Sequence, residues 1–265
     1  MDLQLEGKTA LVTGSTLGIG FAIARALARE RARVIVNGRT SGRVEAAVSR
    51  IRADLGSDAD VTGAVADLGT AAGTAELIAA QPDVDILVNN VGIFEPKAFE
   101  DIPDADWLRF FEVNVMSGVR LSRHYLPRMK SRNWGRIIFI SSESAINIPD
   151  EMIHYGMTKT AQLAISRGLA ETTAGTGVTV NAVLPGPTAS EGVATLVEQL
   201  AKESNMTLAQ VEQEFFRSAR PSSLLKRFIQ PDEVATTVAY LCSPLASATN
   251  GAAVRVDGGC VRSMA

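Results

Sequence analysis

Short apolar segments alternate with longer amphipathic segments along almost the whole chain. The first three pairs are KTALVT with FAIARALARE, RVIVN with SGRVEAAVSRIRAD, and VTGAVA with AAGTAELIAA. Short runs rich in β-branched residues are typical of buried strands, whereas the longer segments have the apolar spacing of helices. Strands joined through helices form parallel sheets that are covered on both faces. The alternation therefore predicts an α/β fold.

The same pattern continues towards the C-terminus. Four further strand-like runs, DILVNN, GRIIFIS, VTVNAVL and AAVRVDG, are separated by helical segments, one of which is long and runs from Ala105 to Lys130. We expect a single Rossmann-fold domain over residues 1–265, with a seven-stranded parallel sheet and helices on both faces. A helical, partly polar segment from about residue 190 to 225 interrupts the alternation, which predicts a small inserted lobe that binds substrate.

Composition and charge exclude several kinds of partner. Hydrophobic residues make up 46% of the chain and charged residues 21%, which is typical of a protein with a sizeable core. The formal charge is −3 and no long basic run occurs, so nucleic acid is not an expected partner. No apolar run approaches the roughly 18 residues of a membrane span, and the acidic N-terminus does not resemble a signal peptide. Cys242 and Cys260 fit neither a disulfide framework nor a metal site, so we expect a cytoplasmic protein without a metal.

The glycine-rich segment TGSTLGIG, residues 13–20, lies between the first strand and the first helix. Gly14, Gly18 and Gly20 permit sharp turns, so that backbone amides and the positive end of the helix can face a pyrophosphate. The spacing differs from the G-x-G-x-x-G fingerprint of many dinucleotide folds. A dinucleotide site is therefore one interpretation, and a purely structural connection is the other.

The end of the second strand, NGRT, bears on which dinucleotide would bind. Folds that prefer NAD usually place an acidic residue here for the ribose hydroxyls, whereas a 2′-phosphate requires a cation. Gly38 occupies the acidic position and Arg39 follows it. The segment favours NADP(H), with NAD(H) as the alternative cofactor and an exposed loop arginine as the interpretation without a ligand.

Seven motifs together resemble those of the short-chain dehydrogenases/reductases over essentially the whole chain. In chain order they are TGSTLGIG, Asp67 in AVADLG, NNVG at 89–92, Asn114 in FFEVNV, Ser142 in FISSES, Tyr155 with Lys159, and PGPT at 185–188. NNVG has valine where the family most often has alanine, and Ser190 stands where threonine is common. Neither departure changes a reacting group. The separation of Tyr155 from Lys159 is typical of the hydride-transferring members and disfavours enoyl reduction.

This resemblance implies reversible hydride transfer between NADP(H) or NAD(H) and a small carbonyl or secondary alcohol substrate. It assigns general acid/base catalysis to Tyr155, the substrate oxygen to Ser142, and a water-linked proton relay to Asn114 and Lys159. Because residues four apart share a helix face, we also expect the charge of Lys159 to lower the pKa of Tyr155. His154 should point roughly 100° away from Tyr155 and is not expected to act as a second acid.

The resemblance further implies the residues that contact the cofactor and the state of assembly. Asp67 would contact the adenine, Asn90 and Gly92 the adenosine ribose, and Pro185 and Thr188 the nicotinamide carboxamide. A homotetramer is expected. The full set of implied cofactor contacts is Gly14, Ser15, Thr16, Gly18, Ile19, Gly20, Arg39, Asp67, Leu68, Asn90, Gly92, Tyr155, Lys159, Pro185 and Thr188.

The substrate pocket is expected to have mixed polarity and to suit a small or mid-sized polar ketone or alcohol. Its predicted wall consists of the helical lobe with Ile93, Phe94, Glu143, Ser144, Ile146, Asn147, Ile153 and His154. Two other classes of protein remain as alternatives. A nucleotide-sensing Rossmann protein without turnover would normally lack part of the catalytic set, and all four residues are present. An epimerase-type relative usually has G-x-x-G-x-x-G and a larger C-terminal domain, which this sequence lacks.

Overall fold

The computed structural model describes residues 2–264 and contains one parallel sheet across the described chain. Its order is β3-β2-β1-β4-β5-β6-β7, and every neighbouring pair of strands is parallel. The predicted α/β class, the seven strands and their parallel direction are therefore confirmed. The strands are β1 (Thr9–Val12), β2 (Arg33–Gly38), β3 (Val61–Val65), β4 (Ile86–Asn89), β5 (Gly135–Ile140), β6 (Val178–Pro185) and β7 (Ala253–Val256).

Helices connect the strands and build the lobe. They are α1 (Gly18–Arg29), α2 (Ser41–Leu55), α3 (Ala71–Ala80), α4 (Asp104–Phe111), α5 (Ser117–Ser131), α6 (Ile153–Glu171), α7 (Glu191–Ser204), α8 (Leu208–Ser218) and α9 (Pro231–Cys242). The segment predicted as one long helix is instead α4 and α5 joined by a π-helical turn, Glu112–Met116. In the range predicted for the lobe, α7 and α8 account for the helical part, which ends at Ser218 rather than near residue 225.

Successive side chains of each strand enter different cores, because strand side chains alternate between the two faces of a sheet. In β1, Ala10 and Val12 pack into one core with α1, α2 and α9, whereas Leu11 packs into the other. The second core contains residues of α3, α5 and α6. Both faces of the sheet are thereby covered, which explains the nearly continuous apolar strands in the sequence.

The order of the strands creates a crevice at one edge of the sheet. The chain leaves β1 towards β2 on one side, whereas β4 and the later strands lie on the other side. Connections that leave neighbouring strands in opposite directions open a crevice at the carboxyl edge, where ligands of open α/β folds bind. The residues that follow β1 and β4 therefore border the expected ligand site.

The turn between β1 and α1 is tightly packed at its glycines. Gly14 and Gly18 have φ angles of +58° and +59°, which residues with a side chain rarely adopt. Gly20 is restricted by space rather than by its φ angle: an added Cβ would lie 2.4 Å from Asn90 Nδ2 and 2.5 Å from the carbonyl oxygen of Gly14. The glycines of this segment thus allow α1 to begin directly against the residues that follow β4.

We expect Gly20→Ala to lower the free energy of unfolding by about 1–3 kcal/mol, because the new methyl group displaces the turn or Asn90. Gly42→Ala is the matched control, since an added Cβ there meets no heavy atom within 4 Å. Alanine is also the better helix former within α2, so the control should be neutral or slightly stabilising. Thermal and denaturant unfolding measure both changes. Equal stability of the two variants would contradict the close packing of Gly20.

Candidate active site

Two adjoining cavities lie at the carboxyl edge of the sheet. The larger, of about 820 Å³, lies at the ends of β1 to β4, and the smaller, of about 310 Å³, lies between the ends of β4 to β6 and the helical lobe. Asn90, Gly92 and Ile93 line both cavities. A long ligand could therefore extend from one cavity into the other past these residues.

Side chains from β1 and from the segment after β4 fix the border between the cavities. Thr13 Oγ1 accepts hydrogen bonds from the backbone N–H groups of Asn90 (2.8 Å) and Val91 (3.1 Å). The side-chain Nδ2 of Asn90 in turn donates to the carbonyl oxygens of Thr13 and Gly14, both at 3.0 Å. The glycine turn and the NNVG segment thus form one hydrogen-bonded unit, in which the side chain of Asn90 supports the turn.

Ser15 does not face either cavity, which differs from the expected cofactor contact. Its hydroxyl donates to the carbonyl oxygen of Val12 (2.6 Å) and accepts from the N–H of Asn37 (3.0 Å). Its own N–H donates to the carbonyl oxygen of Asn37 (2.9 Å). The side chain is fully buried. Ser15 supports the turn because its hydroxyl and its N–H are both bonded to neighbouring backbone.

Asn37 has a structural role that the sequence did not indicate. Its Oδ1 accepts from the N–H of Gly14 (3.1 Å), and its Nδ2 donates to the carbonyl oxygens of Ala64 (3.1 Å) and Ala66 (3.2 Å). One buried amide therefore joins the ends of β2 and β3 to the glycine turn. A buried polar residue at the end of an apolar strand was the available signal.

Basic residues line the far end of the larger cavity. Arg39 lies there as predicted, together with Arg43 from the first turn of α2, which the sequence interpretation missed. Gly38 is enclosed, because an added Cβ would lie 2.5 Å from a methyl group of Thr16 and 3.1 Å from one of Val44. Neither aspartate nor glutamate fits at position 38 without movement of these neighbours.

The remaining residues expected to contact the cofactor divide between the cavities and the turn. Gly18 and Gly20 shape the turn without lining either cavity in the described chain. Thr16, Asp67 and Leu68 line the larger cavity with Gly14, whereas Ile19, Pro185 and Thr188 line the smaller one.

Ser142, Tyr155 and Lys159 meet at the inner end of the smaller cavity. Ser142 lies just beyond β5 and caps a short 3-10 helix by accepting a hydrogen bond from the N–H of Ser144 (3.1 Å). Lys159 follows Tyr155 by about one turn of α6, and its Nζ lies 5.5 Å from the centre of the tyrosine ring. That ammonium donates to the carbonyl oxygen of Ile140 (2.9 Å), at the end of β5.

Burial dominates the acidity of both groups on α6. It raises the pKa of Tyr155 above its ordinary value; interaction with Ser142 lowers that pKa to a smaller extent, and the charge of Glu143 raises it further. Burial also lowers the pKa of Lys159 to about 8. The pKa of Tyr155 is therefore raised rather than lowered as expected, because desolvation of the phenolate outweighs the lowering by Ser142 and Arg220.

Asn114 lies within the π-helical turn between α4 and α5. Its Oδ1 accepts from the N–H of Ile93 (2.7 Å), and its Nδ2 donates to the carbonyl oxygen of Ile93 and to Thr158 Oγ1, both at 3.0 Å. Its backbone carbonyl accepts from Gln162 Nε2 (2.6 Å). π-Helical turns are frequent at functional sites. Here the side chain of Asn114 anchors the segment after β4, while a proton relay through it stays a prediction.

Apolar side chains form most of the outer wall of the smaller cavity, so the cavity is polar mainly at the reacting end. Glu143, Ser144, Ile93 and Phe94 line it as expected. Ile146, Asn147, Ile153 and His154 do not line it: Ile146 is 43% exposed, and His154 packs against Phe110 and Trp107 of α4. The apolar wall consists of Phe94, Met152, Val193, Val197, Leu200, Val211, Phe215 and Phe228.

His154 is buried in an aromatic environment away from Tyr155. Its ring centre lies 4.0 Å from that of Phe110 and 6.0 Å from that of Trp107. Burial lowers the pKa of His154, so the neutral imidazole is favoured. The side chain packs α6 against α4 and does not reach the cavity.

Residues 2–264 contain no helix that is long and apolar enough to cross a membrane. Over the same residues, no group of three or more His, Cys, Asp or Glu side chains is arranged to hold a metal ion. Cys242 and Cys260 are buried free thiols.

Three similarities extend over nearly the full chain. Residues 14–261 match the family model described as "Enoyl-(Acyl carrier protein) reductase". "Uncharacterized oxidoreductase YvaG" of Bacillus subtilis (strain 168) is 54% identical over 264 residues, which cover 100% of both chains. D-beta-hydroxybutyrate dehydrogenase of Cupriavidus necator is 38% identical over 262 residues, which cover 97% of this chain and 99% of that protein.

A solved structure extends the similarity to the fold. L-sorbose reductase from Gluconobacter frateurii, in complex with NADPH and L-sorbose, superimposes with a TM-score of 0.92 at 30% identity and covers 100% of both chains. The parallel sheet, the paired cavities and these relatives agree on one kind of chemistry, hydride exchange through a nicotinamide dinucleotide. The chain belongs to the short-chain dehydrogenase/reductase family and is an NAD(P)-dependent oxidoreductase acting on a carbonyl or alcohol group.

Proposed function

We propose that this protein is an NADP(H)-preferring reductase and dehydrogenase of a carbonyl/secondary alcohol pair, with Tyr155 as general acid/base. The observation that carries the proposal is the joint position of Tyr155, Ser142 and Lys159 at the inner end of a cavity that adjoins a second, dinucleotide-sized cavity. A homotetramer and a cytoplasmic location stay predictions.

The proton chemistry follows from these side chains. A bound reduced nicotinamide supplies the hydride. Tyr155 gives its phenolic proton to the substrate oxygen, and in the reverse direction its phenolate accepts the proton of the alcohol. Ser142 lies on the same side of the cavity, and its hydroxyl would fix that oxygen by donating a hydrogen bond after turning from Glu143, to which it donates in the structure.

Lys159 lies beside Tyr155 and Ser142 at the inner end of the smaller cavity. Its Nζ is held by the carbonyl oxygen of Ile140, and an added Cβ at Gly92 would lie 3.4 Å from it, which places the ammonium at the border of the two cavities. This position suits a hydrogen bond to the ribose next to the nicotinamide. Since burial lowers its pKa to about 8, Lys159 is charged at neutral pH and loses its charge at higher pH.

Tyr155→Phe should lower kcat about 100-fold or more, because the proton donor is removed while the ring is kept.

The raised pKa of Tyr155 also determines how the rates of reduction and oxidation depend on pH. Reduction needs the protonated phenol, so its rate should be level at neutral pH and fall only at alkaline pH, whereas oxidation needs the phenolate and should rise with pH. NADPH absorbance measures both rates.

Tyr240→Phe is the matched control, because Tyr240 is half exposed on α9 and lies outside both cavities. It should keep the wild-type rate and pH profile. Equal turnover by Tyr155→Phe and Tyr240→Phe, with equal NADPH binding, would disprove the assignment of Tyr155.

The preference for NADP(H) is supported by charge and space. Arg39, Arg43 and Arg109 line the larger cavity, and Asp67 is the only carboxylate among its described lining residues. A 2′-phosphate adds negative charge that guanidinium groups bind well. The enclosed Gly38 leaves no room for the acidic side chain that would favour the ribose hydroxyls of NAD(H).

We expect Arg39→Ala combined with Arg43→Ala to raise the KM for NADPH about 10-fold or more and to change the KM for NADH less than about twofold, because charge-assisted contacts to the phosphate are lost. Arg29→Ala is the control, since that arginine is exposed at the end of α1. Initial rates with each cofactor measure the change. A parallel loss with NADPH and NADH would contradict a 2′-phosphate site.

The shape of the smaller cavity supports a neutral substrate with an apolar body. The lobe contributes apolar side chains, and the charged lining residues Glu143, Glu151, Lys159 and Arg220 sum to zero, so the cavity offers no net positive charge to a carboxylate substrate. A ketose is the second candidate. It is supported by the similarity to L-sorbose reductase and by the polar groups next to Ser142.

With NADPH, 4-phenyl-2-butanone should therefore be reduced with a kcat/KM about 10-fold above that for L-sorbose, since the apolar ring can be buried against the lobe. Acetoacetate should be the poorest substrate of the three because its carboxylate loses hydration in a cavity that is largely apolar and carries no net positive charge. Initial rates at equal enzyme concentration make the comparison. Preference for L-sorbose would select the second candidate, and preference for acetoacetate would contradict both.

A further inference from the structure

A buried ion pair lies directly against the reacting serine. Glu143 follows Ser142 in the chain and is only 3% exposed. Its Oε1 accepts a hydrogen bond from Nε of Arg220 (3.0 Å), which lies just beyond α8 and is 7% exposed. Burying two charges costs desolvation free energy that apolar residues of similar size would not incur. The position of the pair beside Ser142 gives a reason for its presence.

Three further hydrogen bonds converge on the other oxygen of the same carboxylate. Oε2 of Glu143 accepts from Ser142 Oγ (2.6 Å), from the N–H of Ser144 (2.6 Å) and from Ser144 Oγ (2.9 Å). An ionised carboxylate has no hydrogen to donate, so the hydroxyl of Ser142 must be the donor in its bond to Glu143. The ion pair with Arg220 and these contacts together thus determine the direction of that hydrogen bond.

This direction limits what Ser142 can offer to its other neighbours. A hydroxyl carries one hydrogen, and that hydrogen is used by Glu143. Ser142 Oγ also accepts from the N–H of Ser144 (3.1 Å), which leaves one lone pair for Tyr155 or a substrate. Ser142 therefore presents a fixed acceptor at the reacting end, and it can donate to a carbonyl oxygen only by releasing Glu143.

We propose that Glu143 is a positioning residue that sets the rotamer and hydrogen-bond direction of Ser142, and that Arg220 holds Glu143 in place. This inference rests on the proposed role of Ser142 at the substrate oxygen. It also connects the lobe to the reacting end, because Arg220 additionally donates to Glu151 (3.2 Å) and to the carbonyl oxygen of Ala219 (2.8 Å).

A double-mutant cycle tests whether Glu143 acts through Ser142. Glu143→Gln should lower kcat about 10- to 100-fold in the wild-type background, because Ser142 loses its fixed position, and should leave the KM for NADPH unchanged. In the Ser142→Ala background the same substitution should change kcat less than about twofold, since its target is gone. The rates are measured with the best ketone of the three named above. An equal loss in both backgrounds, or no loss in either, would overturn the proposal.

The pH profile adds a readout that a purely structural role would not move. The charged groups facing Tyr155 are Lys159 on α6, Glu143 after β5 and Arg220 after α8, and the charge of Glu143 raises the pKa of Tyr155. Removing that charge should shift the alkaline limb of reduction to lower pH. Glu214→Gln is the matched control, because it breaks an exposed glutamate–arginine pair on α8 and should shift nothing.

A milder variant covers the case in which Glu143→Gln does not fold. Ser144→Ala removes one donor from the carboxylate of Glu143 and keeps the ion pair with Arg220. It should lower kcat by a smaller factor than Glu143→Gln, again only while Ser142 is present. A loss that is the same with and without Ser142 would count against the proposal.

A crystal structure of Glu143→Gln, or of Ser144→Ala if the first does not fold, separates this inference from the proposed function. The side chain of Ser142 should rotate or occupy more than one rotamer in the variant, independently of any substrate. A single, unchanged rotamer would refute the positioning role. Absence of turnover of all three ketones by the wild type would instead refute the proposed function, and the rotamer would still test the inference.

Discussion

The hydrogen bonds between the end of β1 and the segment after β4 are the constraint on which the site depends. Thr13 and Asn90 form two hydrogen bonds across the crevice between the ends of β1 and β4. Gly20 allows α1 to approach both residues closely. These contacts fix the border at Gly92, where the two cavities meet. Any ligand that spans both cavities must pass this border, so its reactive end is placed relative to β5 and α6 by the sheet itself.

The reacting end combines several polar groups at a depth where water is largely excluded. Burial raises the pKa of Tyr155 and lowers that of Lys159, so it favours the neutral form of each group, although Lys159 with a pKa of about 8 stays charged at neutral pH. The pair formed by Glu143 and Arg220 adds two opposite charges at the same depth. The acidity of Tyr155 is therefore determined by its burial and its charged neighbours together, rather than by Lys159 alone. The positive charge of an oxidised nicotinamide, when bound, would act on the phenolate from the other cavity.

Local patterns predicted the sheet well because each strand is an apolar run bounded by helical segments, as in RVIVN and GRIIFIS. The residues gathered at the reacting end were predicted through the resemblance, since their separations along the chain carry no information on distance. Three features could not be predicted from the sequence. The π-helical turn at Asn114 is bonded to α6 through Thr158 and Gln162, the inward-facing Ser15 is bonded to Asn37, and Arg220 lies 77 residues from its partner Glu143 along the chain.

We expect the two cavities to form one site, in which a dinucleotide brings its nicotinamide to Tyr155 and Ser142. A crystal structure of the protein with NADPH and an unreactive alcohol tests it most directly. We expect the adenosine 2′-phosphate beside Arg39 and Arg43, and the alcohol oxygen at about 2.7–3.0 Å from the hydroxyl of Tyr155. NADPH bound with its nicotinamide outside the smaller cavity, or an alcohol oxygen out of hydrogen-bond range of Tyr155, would show that the two cavities do not form one site.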